Sequence, residues 1–172
     1  MNGVMEKKIK DFKQIICIDG IHGRNRNNWD LTTVLVKDEK NMLFPVAFLI
    51  SNRNDQAIQT IFFSTLKEKL GTSIEAEYLM TEDDIKYYNA WTQVMTSEKK
   101  PRRLLCTWHV VNNWIIQGRS KIKKVENRLK MKKEMRSILN EKNITKFMQL
   151  KENYFKQLEE QGEQEFLKYL QK

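Results

Sequence analysis

Hydrophobic and polar positions divide this chain into short apolar runs followed by long amphipathic stretches. Residues 14–20, QIICIDG, carry four apolar or β-branched positions that run into an acid and a glycine. Such a bounded run reads as a buried strand, with Asp19 at its exit. Residues 29–37, WDLTTVLVK, alternate and are rich in β-branched side chains, while residues 42–50, MLFPVAFLI, are apolar throughout. The polar link at 38–41 makes these two a hairpin, and Pro45 confines the second of them to a sheet edge or a bulge. Ile58, Ile61, Phe62, Thr65, Leu66 and Leu70 then recur at spacings of three and four, after turn and capping residues at 51–54 and before a natural stop at Gly71. A fourth strand is predicted at 75–80, a helix with an acidic first turn at 83–95, a basic turn at 97–101 and a fifth strand at 102–106. Beyond Trp108 the pattern is helical. Ile122, Val125, Leu129, Met135 and Ile138 mark one apolar face, and Phe147, Leu150, Tyr154 and Leu158 mark a second, with residues 140–143 between them.

The predicted order is βββαβαβ and then helices. A meander that continues into βαβ crossovers is an α/β arrangement, a mixed five-stranded sheet with helices packed on it. Residues 1–13 are basic and at best amphipathic, and read as a lead-in. Residues 14–116 form the sheet-containing core, and residues 117–172 a basic helical tail. The stretch 20–28, GIHGRNRNN, has the glycine and asparagine density of an irregular turn.

Composition changes this picture little. With 172 residues, 40% of them hydrophobic, and only six Gly and two Pro, the chain has enough apolar surface for an ordered core. Two cysteines, Cys17 and Cys106, are too few for a disulfide framework, so a reducing compartment is expected. No apolar run reaches membrane-spanning length, and the start lacks the pattern of a signal peptide, so the expectation is an intracellular protein without a membrane partner. Charge is more informative. Residues 117–172 hold 15 Lys and Arg against 8 Asp and Glu, a balance of +7 out of the chain's +9. An excess of cations concentrated in one segment suits a polyanion, because each neutralised phosphate releases counterions.

Three groups of residues could carry chemistry. Asp19 and the cluster Thr81-Glu82-Asp83-Asp84 place acids at the ends of two strands that neighbour each other in many sheets of this order. Carboxylates that meet there can hold hard divalent cations for phosphodiester chemistry. Equally, Asp83 and Asp84 can cap the helix that comes next. Cys106 and His109 have zinc-ligand spacing, and Cys17 and His22 would complete a set of four; buried free cysteine and a hydrogen-bonding histidine are the plainer alternative. Residues 117–136 contain nine Lys or Arg against two Glu, a face that could follow a phosphate backbone or simply be solvated. Trp91, Trp108, Trp114, Tyr87 and Tyr88 read as packing residues. No GxGxxG, P-loop, HExxH or GxSxG motif occurs, so a nucleotide cofactor and serine hydrolysis have no support.

Taken in order, IDGIHGRNRNNWDLTTVLVKDE, FPVAFLISNRNDQAI, YLMTEDDIKYYNAW and RRLLCTWHVVNNW resemble the MULE (Mutator-like element) transposase domain over about residues 14–115. The resemblance implies an RNase H-like fold and a DDE-type mechanism. In that mechanism two Asp and a later Glu hold Mg²⁺ or Mn²⁺ while DNA is nicked and a freed 3′-hydroxyl attacks its target. Asp19 stands at the family's first acid. The second normally follows Ser or Thr directly. Here Thr81 is followed by Glu82, one methylene longer, and then by Asp83, so either Asp83 joins Asp19 as metal ligand or activity is impaired. Cys106 and His109 match the family's CxxH, taken as shaping the site. The third acid lies beyond the family's helical insertion, within which this sequence ends, and the role is not transferred to Glu163 or Glu165. The resemblance thus implies a transposase catalytic-core fragment, inactive alone, in the nucleus. DNA is its expected partner, through Arg119, Lys121, Lys123, Lys124, Arg128, Lys132 and Lys133, and self-association is an open possibility. The alternatives are a domesticated, non-catalytic nucleic-acid-binding module and a helical domain that dimerises through its tail.

Overall fold

The computed structural model describes residues 1–21, 26–95 and 98–171. They divide into two compact units, Met1–Cys106 and Thr107–Lys172.

The first unit is built on a five-stranded sheet of β1 (Ile15–Ile21), β2 (Asp30–Lys37), β3 (Leu43–Ser51), β4 (Tyr78–Thr81) and β5 (Arg102–Leu105), in the order β3-β2-β1-β4-β5. β1, β2 and β3 form an antiparallel meander, and β4 and β5 add in parallel. That order with those directions is the RNase H-like arrangement. The polar link after β2 is held by Asp38, whose carboxylate accepts from the amides of Lys40 and Met42, both at 2.9 Å. Pro45 has both of its expected properties, since β3 is an edge strand and the β2–β3 register shifts beside it.

Helices α1 (Gly3–Asp11), α2 (Gln56–Leu70) and α3 (Lys86–Met95) complete the unit. Asp55 caps α2 by accepting from the Ile58 amide at 3.1 Å, and Gly71, at φ 68°, ends it in the left-handed conformation that glycine tolerates best. Ile16, Ile18, Val34, Val36 and Leu79 from the strands share a core with Phe63 and Leu66 of α2 and Tyr87, Ala90 and Trp91 of α3. Phe63 meets Trp91 edge-on, with centroids 5.2 Å apart. Residues 3–11, within the stretch read as a lead-in, form α1 and bury Ile9 in this same core. A single apolar anchor was too little periodicity to reveal it. α3 also starts later than predicted. It begins at Lys86 with no acid in its first turn, because Asp83 and Asp84 belong to the preceding turn.

The second unit consists of α4 (Thr107–Lys121), α5 (Val125–Asn140), α6 (Ile144–Glu160) and α7 (Gln164–Leu170). Its core joins Ile122, Met131, Met135 and Ile138 to Tyr154, Leu158, Phe166 and Leu167. Gly118 is buried on α4 with the Met131 methyl of α5 lying where its Cβ would be. The predicted phase of α5 is corrected here. Val125 and Leu129 are 66% and 74% exposed, and the buried stripe is Asn127, Met131, Met135 and Ile138.

Asn127 is buried because it faces Glu163, which is only 1% exposed. α6 ends in a Schellman turn, with Gly162 at φ 74° and the Glu163 amide donating to the Leu158 carbonyl at 2.9 Å. That turn aims the Glu163 carboxylate at the start of α5, whose N-cap Lys124 makes no side-chain cap bond. The carboxylate accepts from the amides of Lys123 (2.7 Å) and Lys124 (3.3 Å) and from Asn127 Nδ2 (2.9 Å). An anion thus meets the positive end of a helix dipole. Burial pushes the Glu163 carboxyl up, but these donors outweigh it and hold the group below the usual glutamate range.

The cap gives a signed pH dependence. The stabilisation is complete above the ordinary carboxylate range and is lost as pH falls through the lowered native value. Glu163→Gln should cost about 1–3 kcal/mol, the usual effect of removing a charged hydrogen-bond partner from buried donors. Thermal unfolding followed by circular dichroism at neutral pH should show that loss, and the difference between variant and parent should shrink as pH falls below the ordinary glutamate range.

Candidate functional site

The parallel pairing of β1 with β4 sets Ile15, Ile16 and Cys17 opposite Tyr78, Leu79 and Met80. Extending that register by two residues brings Asp19, inside β1, level with Glu82, just past the end of β4. Asp19 is half-buried and pairs across β2 with Thr33. β5 sets Leu105 opposite Thr81, and the Cys106 amide donates to the Thr81 carbonyl at 2.9 Å. The three strand ends singled out in the sequence therefore lie side by side on one edge of the sheet.

The acids after β4 have separate surroundings. Asp84 is bound to Lys86 through the Lys86 amide (2.9 Å) and Nζ (2.8 Å). Burial raises its carboxyl, but the Lys86 contacts prevail and hold it below the usual range. It belongs to the turn into α3. Asp83 is exposed, and its carbonyl accepts from Arg103 Nη2 at 2.6 Å. The same guanidinium donates to the Glu82 carbonyl at 3.2 Å and, through Nε, to Thr81 Oγ1 at 3.4 Å, while Thr81 Oγ1 donates to the Glu82 carbonyl at 2.8 Å. One arginine from β5 thereby fixes the main chain of the whole acidic turn.

Glu82 is half-buried, and its charge lies near the phenol of Tyr87, a residue with no exposed surface. Burial first, and the Glu82 charge second, push that phenol well above the ordinary tyrosine range. Asn54 Oδ1 lies 3.3 Å from the phenol oxygen. Gln59 Nε2 donates to Asn54 Oδ1 at 3.1 Å and to Thr32 Oγ1 at 2.9 Å. A buried polar network of Thr32, Gln59, Asn54 and Tyr87 thus joins β2, α2 and α3. Sequence reading assigned Tyr87 to packing and gave Arg103 no role. The available signal was a pair of arginines opening an otherwise apolar strand next in order after an acidic turn.

Cys17 is buried beneath this edge. Desolvation chiefly, with the nearby Cys106 and Asp19, pushes its thiol up to about 11. Of the other residues considered for zinc, His22 lies outside the described residues. His109 is on α4 in the second unit, its ring edge-on to Trp108 at 4.9 Å. Among the described residues, no group of three or more His, Cys, Asp or Glu is placed to hold a metal ion. The pair Asp19 and Glu82 still has the right donor chemistry for Mg²⁺ or Mn²⁺, which bind through one or two carboxylates and keep several waters. Trp108, read as a packing residue, is 63% exposed.

On the second unit, Arg119, Lys123, Lys124, Lys132 and Lys133 are exposed, while Lys121 and Arg128 are half-buried. Arg128 Nε donates to the Ile122 carbonyl at 2.8 Å, so this arginine also closes the turn between α4 and α5. Among the described residues no helix is long and apolar enough to cross a membrane.

The family model of the MULE transposase domain matches residues 15–113. No curated protein matches the chain. Among solved structures, the chain is similar at 12% identity and a TM-score of 0.37 to a chain of a simian T-cell lymphotropic virus intasome in complex with PP2A regulatory subunit B56 gamma; the match covers 70% of this chain and 47% of that one. It is similar at 7% identity and a TM-score of 0.36 to the catalytic core domain of BIV integrase, over 70% of this chain and 80% of that one.

Cys17 offers a direct check on the geometry beneath the acidic edge. Iodoacetamide at pH 8 should alkylate it at least about tenfold more slowly in the folded chain than in urea, because thiolate is the reacting form and the ordinary thiol value is near 8.5. Peptide mass mapping of both cysteines would read this.

Proposed function

The chain belongs to the MULE transposase domain family, and on that premise we propose that its first unit is the metal-binding part of a DDE-type transposase core and its second unit a DNA-binding surface. The observation that carries this reading is the parallel register of β1 with β4, which brings Asp19 of β1 level with Glu82 just past the end of β4. Asp19 supplies one carboxylate, and the Glu82/Asp83 turn supplies the other. A divalent ion bound there would polarise a phosphodiester and lower the barrier to attack by water or by a 3′-hydroxyl. In this reading Asp19 orients the ion from a half-buried strand position, the acidic turn closes its second side, and Cys106 borders the same edge. Two acids fall short of the three that the mechanism uses. The chain by itself would thus bind metal and DNA, and cleavage would need a third carboxylate.

A second reading, a non-catalytic nucleic-acid-binding module of transposase origin, draws on the exposed cations of the second unit. Under either reading the partner is a phosphate backbone, met in the nucleus.

Two measurements separate these readings. Calorimetry with Mn²⁺ should show saturable binding that Asp19→Asn removes; undiminished binding in that variant would refute the metal reading. Charge reversal at Lys123, Lys124, Lys132 and Lys133 should weaken binding to duplex DNA and reduce the slope of log K against log salt by about 0.9 for each phosphate no longer neutralised. Fluorescence anisotropy over a salt series would show it, and an unchanged slope would count against the second unit as the DNA surface.

A further inference from the structure

β3 stands at one end of the strand order and, with nine residues, is the longest strand of the sheet. An edge strand leaves every second N–H and C=O of its backbone without a ladder partner, so it accepts another extended chain unless charge, proline or a bulge blunts it. The first half of β3 is blunted in this way. Pro45 has no N–H, and Val46 is the extra residue at the register shift, between Pro45 opposite Leu35 and Ala47 opposite Val34. The second half, residues 47–51, has no such device. Residues 41–52 contain no charged side chain, although 31% of the chain is charged and its net charge is +9. Phe48 and Ile50 alternate with the buried Ala47 and Ser51, and are 47% and 63% exposed. On the opposite face, Leu49 borders an open apolar groove of about 390 Å³, lined also by Ile58, Ile61 and Phe62 of α2. An uncharged, exposed strand edge with a groove beside it is a surface for a further strand.

We propose that residues 47–51 of β3 pair antiparallel with the same residues of a second copy of this chain, joining two five-stranded sheets into one. Self-complementarity selects a second copy as the occupant. Centred on Leu49, the pairing sets Phe48 of each copy opposite Ile50 of the other, an aromatic and β-branched cross-strand pair made twice. Leu49 then meets its own counterpart above the α2 groove, Ala47 meets Ser51, and Pro45 and Val46 stay outside the paired stretch. Charge points the same way. Two copies that each carry +9 repel where cations face one another, and least where neither presents any. The exposed face of α5, with Lys132, Lys133 and Arg136, would instead set like charges together. β3 lies three places from β4 in the strand order, so this interface is independent of the metal reading.

The test is sedimentation velocity on the full chain, over a concentration series reaching about 100 μM so that micromolar dissociation constants are captured. The parent should pass from monomer to dimer. Phe48→Lys and Ile50→Lys should each raise the dimer dissociation constant at least about 10-fold, the effect expected at the centre of an interface. Both side chains are exposed in the single chain, and circular dichroism of each variant separates lost pairing from lost fold. Ile50→Lys, at the more exposed position, carries the test if Phe48→Lys does not fold. Leu129→Lys adds the same charge to the exposed side of α5 and should leave the constant within about twofold. Register is read by oxidation. Phe48→Cys combined with Ile50→Cys should give a disulfide-linked dimer, because directly opposite Cα atoms lie about 4.5–5.5 Å apart, and peptide mapping should join positions 48 and 50. Either single variant, and the parent with its Cys17 and Cys106, should link at least about tenfold more slowly, since diagonal neighbours are about 7–8 Å apart. A parent that stays monomeric throughout the series would overturn the proposal. So would a dimer that survives both lysine variants, or one that Leu129→Lys disrupts in their place. Assembly continuing past the dimer would overturn the closed two-fold arrangement.

Discussion

Everything proposed for the first unit depends on one constraint, the parallel pairing of β1 with β4. Parallel neighbours need a crossover connection, and here the intervening chain first completes the meander through β2 and β3 and then passes through α2. Register then does the rest. Because side chains alternate along a strand, a slip of one residue would turn Asp19 from one face of the sheet to the other. Such a slip would also force Ile16 and Ile18 out of the core they share with Leu79 and Trp91. The apolar contacts that stabilise the fold and the placement of the acids are therefore the same constraint. The site is positioned by residues that take no part in its chemistry.

The sheet was the most legible part of the sequence, because short apolar runs bounded by turn residues have few other structural solutions. Pro45 limited its strand to an edge or a bulge, and β3 is an edge strand with a register shift beside that proline. α1 was not legible, since its contribution to the core is largely one isoleucine set in a lysine-rich stretch. α5 was legible as a helix but wrong in phase. Val125 and Leu129 suggested the buried stripe, whereas burial goes to the stripe containing Asn127, a polar residue that has a partner only because Glu163 arrives from far along the chain. No local pattern encodes that partner.

The acidic edge was half legible. Spacing and strand order put Asp19 near the Thr81-Glu82-Asp83-Asp84 cluster, but could not divide the cluster. The division comes from contacts with Lys86 and Arg103, which lie between 2 and 22 positions away from the groups they bind in the turn. Tyr87 looks like any buried aromatic in sequence. Its phenol oxygen, placed next to Asn54 Oδ1, turns a core residue into part of a polar network.

The Glu163 cap has a consequence for the order of events when the chain is made. Its bond to the Lys123 amide spans 40 residues. While the ribosome is still producing α6, the start of α5 has only its own Glu126 as an acid in the first turn, and the side chain at its N-cap is a lysine. The turn that delivers the carboxylate exists only after Gly162 and Glu163 have emerged. The start of α5 thus gains its buried cap only once the turn after α6 has been made.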